Sequence, residues 1–536
     1  MMSAIENPVI VSFNIANLRN ENISVITRRA LQKHKFGISN AGCVIHFESS
    51  ALNRIQVMYD THVLRITAPS ISLYYRALNL ALENVQKNKL KPFRFEEECK
   101  FEHIGMMLDC SRNGVPTVAT ICEKIELCSR LGYTYVYLYI EDLFEVPEYP
   151  YFGAMRGRYS KSELKQIDDF GLQYGIEVIP AIQTLAHMRT FLRWHSSIPL
   201  RDTDDILLVN SEKTLAFLKS IISEVSSAFH SNNIHIGMDE AHYLGAGAYL
   251  QQHGFTDKQV LMQQHLKDVL NICESLGLRA SMWSDMFFRV DSPTGDYYDV
   301  PADTTLKFAG NELFNSVDLV YWDYYKHNQN DYDKNIELHR QLTDNIIFAS
   351  GGWTWNGVTP NYAKAKTTIR EGLKSCEAQH INNVCCTFWF DNGMETPVQM
   401  IDYMLIYFAQ ECFVTQYSTQ SLTQEITRYS ERDWMLIDAL DYVPGTLKDN
   451  ESADNPSKCL LYQDVLVGLF DNQSPRMAEL AQYYNNLYEK LQAVIKDDSA
   501  FDSVFTYYAK LAHVLSLKTN LGVEIREAYM ANNYDS

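Results

Sequence analysis

Nowhere in the chain do about 18 apolar residues run together, the length a membrane helix requires, so a helical membrane span is not expected. The opening stretch MMSAIENPVIVSFNIANLRN lacks the basic start, apolar core and small-residue cleavage site of a secretory leader, and a soluble, cytoplasmic protein is expected. Basic residues are scarce: 47 Lys and Arg stand against 66 Asp and Glu, a net charge of -19. Phosphate binding needs clustered cations, so nucleic acid and anionic membranes are excluded as main partners. No Cys-x-x-Cys pair occurs among the eleven cysteines. Their odd number and apolar settings, as in TICEKIELC, read as buried, reduced thiols. Internal repeats and low-complexity tracts are absent as well. What is present is a large potential core, with 46% hydrophobic residues, 12% aromatics and 33 tyrosines. A length of 536 residues suits two or three domains.

Hydrophobic periodicity divides the chain into three parts. Residues 1–95 read as a small α/β unit, with strands in VIVSFNIA, CVIHFESS, IQVMYD and HVLRITA and an amphipathic helix in SISLYYRALNLALENVQK. KLKPFRF reads as the bridge out of it. Residues 96–412 alternate strand and helix. The strands are expected in HIGMMLD, TYVYLYI, EVIPAIQ, IHIGMDE, RASMWSD, DLVYWDYY, IIFASGG and NVCCTFWF, and several helices end in Gly just before the next strand. Eight strands with crossover helices predict a (β/α)8 TIM barrel, with a long irregular connection from Ser284 to Asp318. Residues 413–536 read as a helical C-terminal domain, with DYVPGTLKDNESADNPSK as a surface loop.

The stretch NNIHIGMDEAHYLG, residues 232–245, sets two carboxylates side by side after an alternating run. Ile234, Ile236 and Met238 share one parity, and His235, Gly237 and Asp239 share the other. A strand with a polar second face belongs in a barrel interior or at an active-site mouth. Barrel enzymes build their sites at the C-terminal ends of the strands. Those ends read LDCSRN, IEDLFE, IQTLAHM, GMDEAH, MWSDM, VYWDYY, GGWTWNG and FWFDNGME, which bring carboxylates, an Arg, a His and five of the seven tryptophans to one rim. Aromatic faces beside carboxylates suit the apolar face and hydroxyl edge of a sugar. A metal site using His235, Asp239, Glu240 and His242 is disfavoured. At about 3.3 Å per residue His235 lies roughly 13 Å below Asp239, too far to share an ion bound at about 2 Å.

HIGMDE matches the His-x-Gly-x-Asp-Glu motif of the family 20 glycoside hydrolases, the β-N-acetylhexosaminidases, and the barrel resembles that family throughout. The leading α/β unit and helical tail resemble its bacterial exo-acting subgroup. The resemblance implies an exo-β-N-acetylhexosaminidase releasing terminal β-linked GlcNAc or GalNAc. Catalysis would be retaining and substrate-assisted, with no cofactor and no metal. Adjacent strand residues point apart and cannot easily straddle a bond as acid and nucleophile. In this family the 2-acetamido oxygen of the substrate attacks instead. Glu240 is then the acid and base, and Asp239 holds the acetamido N–H and the charge of an oxazolinium-like intermediate.

By position, the resemblance makes Arg112 the grip on the outer hydroxyls, and His187 the histidine that tunes the acid through a carboxylate on strand two. Asp142 is favoured for that carboxylate over Glu141. Tyr321 is expected to donate to the acetamido oxygen, with Tyr325 as its rival, and Asp323 to bind a hydroxyl. Trp283, Trp353, Trp355 and Trp389 are expected to wall the pocket. Asp391 stands where the family commonly has Glu, and Glu395 could substitute for it. The implied partner is a small oligosaccharide or glycan, with a homodimer as one open assembly. Two other readings stay open: a retaining β-glycosidase with a protein nucleophile, and a non-catalytic sugar-binding barrel.

Overall fold

The strands that open the chain are short and alternate in burial, as in Val63–Ala68, where Leu64, Ile66 and Ala68 are buried between partly exposed neighbours. The computed structural model describes residues 11–88, 90–415, 434–441, 455–471, 477–495 and 502–533. The leading sheet contains β1 (Ser12–Asn14), β2 (Gly37–Ile38), β3 (Cys43–Ser49), β4 (Arg54–Tyr59), β5 (Val63–Ala68) and β6 (Phe93–Cys99). Helices Glu21–Lys33 and Ile71–Lys87 accompany it, the second capped by Ser70, whose side chain accepts from the Leu73 N–H. The expected boundary at 95 falls inside β6, so KLKPFRF is the entry to a strand and not a bridge between domains. A seventh strand, Phe413–Thr415, returns from beyond the barrel and pairs antiparallel with β6. Arg76 ties these parts together. It is fully buried and donates from Nε to Glu97 Oε2 at 2.8 Å and from Nη1 to the Leu131 carbonyl at 3.0 Å. Its guanidinium lies 4.1 Å from the centre of the Phe413 ring.

The barrel follows with β7 (His103–Asp109), β8 (Tyr135–Tyr139), β9 (Glu177–Ala181), β10 (Asn233–His235), β11 (Arg279–Trp283), β12 (Val317–Trp322), β13 (Ile346–Gly351) and β14 (Asn383–Phe388). All eight pair in parallel, and β14 closes on β7. One parity of seven of the strands supplies the apolar interior: Met107, Tyr135, Tyr137, Tyr139, Ile179, Ala181, Trp283, Val320, Ile347, Ala349 and Cys385. The other parity, such as Met106, Leu108, Val136 and Leu138, joins the outer core under the helices. Helix Val118–Leu131 shows why its terminal Gly is needed. Gly132 has φ +88°, and a Cβ there would lie 2.7 Å from the Phe413 ring.

The eight expected strands are present, with one large change of extent. IHIGMDE is not a continuous strand, because β10 ends at His235 and the chain then passes through left-handed Gly237 (φ +70°) and Met238 (φ +73°). The Ser284–Asp318 connection is irregular as expected, holding only a short helix, Asp285–Arg289, and a 3-10 turn, Glu312–Ser316.

The C-terminal part is helical where described, with Pro456–Tyr462, Met477–Ala493, Asp502–Lys518 and Leu521–Met530. Most of the expected loop DYVPGTLKDNESADNPSK lies outside the described residues. This domain docks on the segment that follows β13. Asp438 Oδ1 accepts the Tyr362 N–H at 3.0 Å, and the Tyr508 hydroxyl donates to the Val358 carbonyl at 3.0 Å. Asp441 accepts the Thr359 hydroxyl and, at 3.0 Å, the Ser457 N–H. No helix among the described residues is long and apolar enough to cross a membrane.

Burial pushes the Asp438 carboxyl up to about 7, with Asp441 adding to the rise and the Tyr362 N–H opposing it. A raised folded-state value means that the folded form holds the proton more tightly. The stability it contributes is present below about pH 4, the unfolded value, and is lost as pH rises through about 7. Thermal unfolding followed between these limits should therefore fall with pH, and Asp438→Asn should flatten that slope. An unchanged slope in the variant would show that Asp438 is not its source.

Candidate active site

Non-glycine residues with left-handed backbone gather at the C-terminal rim of the barrel, among them Glu141 (φ +43°), His187 (φ +54°), Met238, Glu240 (φ +53°) and Trp353 (φ +51°). Each such residue costs on the order of 1–3 kcal/mol and persists only where its surroundings hold it. The turn after β10 is held in this way. Met238 N–H donates to Gln183 Oε1 at 3.2 Å, Glu240 N–H donates to Asp285 Oδ2 at 3.1 Å, and Trp283 N–H reaches the Gly237 carbonyl at 3.1 Å. A Cβ on Gly237 would sit 2.1 Å from Gln183 Oε1, so the close approach requires glycine. Strand parity would turn Asp239 and Glu240 to opposite faces. The left-handed turn corrects that expectation and brings both carboxyls to one pocket.

The two carboxyls sit in opposite environments. Asp239 is deeply set: its Oδ1 accepts Gln183 Nε2 at 2.7 Å, and its Oδ2 lies 3.1 Å from His187 Nε2. Burial alone would raise Asp239, but the His187 charge and these hydrogen bonds hold it below the usual carboxylate range. His187 is itself lifted to about 10, burial being outweighed by Asp239 and then by Glu141. Glu240 is more open, with 40% of its side chain exposed. Burial first, and the charge of Asp239 second, raise its carboxyl above the ordinary Glu value. Its Oε2 lies 3.6 Å from His187 Nε2, and its Oε1 accepts the Tyr297 hydroxyl at 3.2 Å. One carboxylate is kept ionised beside another that favours its proton, as acid–base sites require.

The pocket over this pair has a volume of about 130 Å³ and also takes in Arg112, Trp283, Tyr324, Trp355, Trp389 and Asp391. Arg112 is held by Asp109 Oδ2 at 3.3 Å, Glu141 Oε1 at 3.4 Å and Asp391 Oδ1 at 3.9 Å. Trp389 meets Tyr139 edge-on at 4.8 Å and donates from Nε1 to the Tyr324 hydroxyl at 3.0 Å. Trp283 is 1% exposed, and its Nε1 has no acceptor among the described residues. Arg112, His187, Asp239, Glu240, Trp283, Trp355, Trp389 and Asp391 are thus brought together as the sequence suggested.

Four expected residues are not at the pocket, and Glu395 is also lost as a substitute. Asp142 is turned away and satisfied by Arg156 and by the Thr190 hydroxyl at 3.2 Å, whereas Glu141 continues the inward parity of Tyr135, Tyr137 and Tyr139. Tyr321 and Asp323 lie on the outward parity of β12. The Tyr321 hydroxyl donates to Asp323 Oδ2 at 2.8 Å, packed under the helices with His339 and Phe348. The inward parity presents Trp322 and Tyr324 instead, followed by Tyr325, which is 49% exposed. Trp353 is fully buried and backs Trp355 with ring centres 4.7 Å apart, so it supports the wall without forming it. Glu395 is bound to Lys458 at 2.6 Å. Sequence reasoning missed Gln183, Tyr297 and Tyr324, and it placed Trp322 at the rim without giving it a role; parity with Ile179 and Val320 marks Gln183, Trp322 and Tyr324, while nothing in the irregular connection marks Tyr297.

A larger cavity of about 600 Å³ opens at the opposite, N-terminal end of the barrel. Its polar groups are largely satisfied by one another: Arg279 grips Asp318 at 2.6 Å, the Tyr135 hydroxyl reaches Asn383 at 2.7 Å, and Asn233 reaches Glu177 at 2.8 Å. Barrel enzymes do not build their sites on that face.

Two family profiles match the chain: one described as "Glycosyl hydrolase family 20, catalytic domain" over residues 101–339, and "Glycoside Hydrolase 20C C-terminal domain" over residues 432–536. The chain belongs to glycoside hydrolase family 20. It is a glycoside hydrolase by that membership. Hexosaminidase D of Bos taurus is 26% identical over 283 residues, covering 50% of this chain and 73% of that protein. The human protein of that name is 27% identical over 224 residues, 39% of this chain and 42% of its own length. The β-N-acetylhexosaminidase of Bacteroides fragilis shares the fold with a TM-score of 0.57 at 17% identity, over 78% of this chain and 90% of that one. The exo-β-N-acetylglucosaminidase of Vibrio harveyi, solved with N-acetylglucosamine, gives 0.57 at 16% identity over 79% and 71%.

In this family 20 site His187 faces both carboxyls, so His187→Gln should raise the pKa of each. Both limbs of the pH–rate profile for glycoside hydrolysis should move up by about one pH unit. Limbs that stay in place would show that His187 does not set their ionisation.

Proposed function

We propose that the chain is an exo-β-N-acetylhexosaminidase that releases terminal, non-reducing β-linked GlcNAc or GalNAc with retention, using the 2-acetamido group of the substrate as nucleophile. The observation that carries this reading is the unlike pair Asp239 and Glu240, adjacent in the chain and held at one pocket, where the surroundings push the Asp239 carboxyl below its ordinary value and the Glu240 carboxyl above it. A two-carboxylate retaining enzyme needs its acid and nucleophile across the bond, about 5–5.5 Å apart. Consecutive residues sharing one turn serve one side of the sugar, and the attacking atom is then best supplied by the sugar itself.

In the first step Glu240 gives its proton to the glycosidic oxygen while the acetamido oxygen closes on C1, expelling the aglycone and forming a cyclic oxazolinium ion. Asp239 accepts the acetamido N–H and stabilises the positive charge that spreads over that group. In the second step Glu240, now a carboxylate, takes a proton from water as the water oxygen attacks C1, and the acetamido group is restored. His187 keeps Asp239 ionised throughout. Arg112 and Asp391 bind the outer hydroxyls of the sugar, and Trp283, Trp355 and Trp389 pack on its apolar face. Tyr325, exposed at the pocket, takes the role of donor to the acetamido oxygen that the buried Tyr321 cannot fill. The unpaired Trp283 N–H at the pocket floor favours a ligand that brings its own acceptor. The small pocket favours one sugar unit over an extended chain, in keeping with exo action. A cytoplasmic setting is supported by the eleven cysteines, none of them paired in a disulfide.

Hydrolysis of aryl β-GlcNAc and aryl β-glucoside with the same leaving group tests the reading, and cleavage should be confined to the acetamido sugar. Comparable cleavage of the glucoside would place the nucleophile in the protein. On the aryl β-GlcNAc, Glu240→Gln should keep much of its first step when the leaving group needs no proton. Asp239→Asn should lose about 10²–10³-fold with good and poor leaving groups alike. Equal losses for both variants on the activated substrate would contradict the division of roles.

A further inference from the structure

The irregular connection between β11 and β12 delivers one side chain to Glu240 that the reaction scheme does not yet use. We propose that Tyr297 positions Glu240 as the donor end of a directed hydrogen-bond chain that begins at Arg289 and passes through His242. This rests on the reading of Glu240 as acid and base.

The direction of the chain follows from its partners. Arg289 Nη1 lies against His242 Nδ1, and a guanidinium has only donors to offer. Nδ1 must therefore carry the lone pair, and the single ring proton of a neutral imidazole sits on Nε2. That nitrogen lies 2.8 Å from the Tyr297 oxygen, so it donates to the tyrosine. The tyrosine's own proton is left for Glu240 Oε1 at 3.2 Å. His242 stays neutral because burial, Arg289 and Lys258 all disfavour its charged form. Tyr297 stays a donor because burial and the nearby carboxyls of Glu240 and Asp285 push its hydroxyl up. The Tyr297 ring is fixed between Trp322, with centres 5.2 Å apart, and the Arg289 guanidinium, 5.4 Å from its centroid.

With Oε1 committed to accepting, Oε2 is the oxygen that carries the transferable proton, on the side of His187. The other charges facing Glu240 are Asp239, His187, Arg112 and Asp285, and those facing His242 are Arg289, Lys258, His187 and Asp205. None of them donates a hydrogen bond to the Glu240 carboxyl at the distance of Tyr297. A donor to a carboxylate favours its ionised form. Tyr297 therefore eases the moment at which Glu240 gives up its proton, and steadies the resulting base for the second step.

Tyr297→Phe in the full chain removes only the hydroxyl. The alkaline limb of kcat/KM for aryl β-GlcNAc, which reports Glu240 losing its proton, should move up by about one pH unit while the acid limb stays in place. On an alkyl β-GlcNAc kcat should fall about tenfold or more, with KM little changed. His242→Ala should move the same limb in the same direction by less. A uniform loss of rate with both limbs superimposed on the wild type would overturn the inference, as would a downward shift. An infrared difference titration against Glu240→Gln reads the same carboxyl without substrate. There the Glu240 band should titrate higher in Tyr297→Phe, and an unshifted band would overturn the inference. Failure of the wild type to cleave any acetamido sugar would sink the proposed function instead, and the infrared result would still judge the contact.

Discussion

The contact on which the site depends is the ion pair between Asp239 and His187. A carboxyl as buried as Asp239 would ordinarily take up a proton and become useless as a charge stabiliser. His187 on one oxygen and Gln183 on the other keep it ionised. That retained charge then acts on its neighbour, because Asp239 is the second cause, after burial, of the raised Glu240 carboxyl. One buried anion thus adds to the rise of its neighbour's carboxyl.

Holding consecutive carboxyls in one pocket strains the backbone, and much of the surrounding structure can be read as support for that strain. Asp285 and Gln183 accept the N–H groups of the left-handed turn, and Gly237 supplies the room that Gln183 needs. The support extends outward. Asp109 caps the start of the loop after β7 through the Ser111 N–H at 2.8 Å, and it also accepts the Phe390 N–H at 3.0 Å beside Trp389. Trp355 is backed by Trp353, whose segment is in turn pinned by the C-terminal helices through Val358, Thr359 and Tyr362. The C-terminal domain therefore acts on the pocket by fixing one of its walls, although none of its described residues reaches the site.

Much of this was legible in the sequence, and each failure has a physical cause. HIGMMLD corresponds residue for residue to β7, and the strand-end motifs brought eight of the twelve expected site residues to the pocket. Asp142, Tyr321 and Asp323 went astray because barrel strands are buried on both faces, so alternation shows that there are two faces without saying which one looks inward. Tyr135, Tyr137 and Tyr139 occupy the interior of β8 while Val136 and Leu138 face the helices, the reverse of what polarity suggests. The turn after His235 could not be read as a turn, because its motif looks like a strand until the acceptors from Gln183 and Asp285 are known. Tyr297 comes from an irregular connection, where no periodicity exists to place a side chain.

The central claim is that the nucleophile belongs to the substrate. It is tested most directly by measuring kcat/KM for aryl β-glucosaminides that carry acetyl, fluoroacetyl, difluoroacetyl and trifluoroacetyl groups on nitrogen and share one leaving group. Each fluorine draws electrons from the amide oxygen and weakens it as a nucleophile while leaving the sugar's hydroxyls unchanged. A steep, graded fall across the series is the expected result. A flat series would mean that the amide oxygen does not attack, and the account built on Asp239 and Glu240 would be wrong.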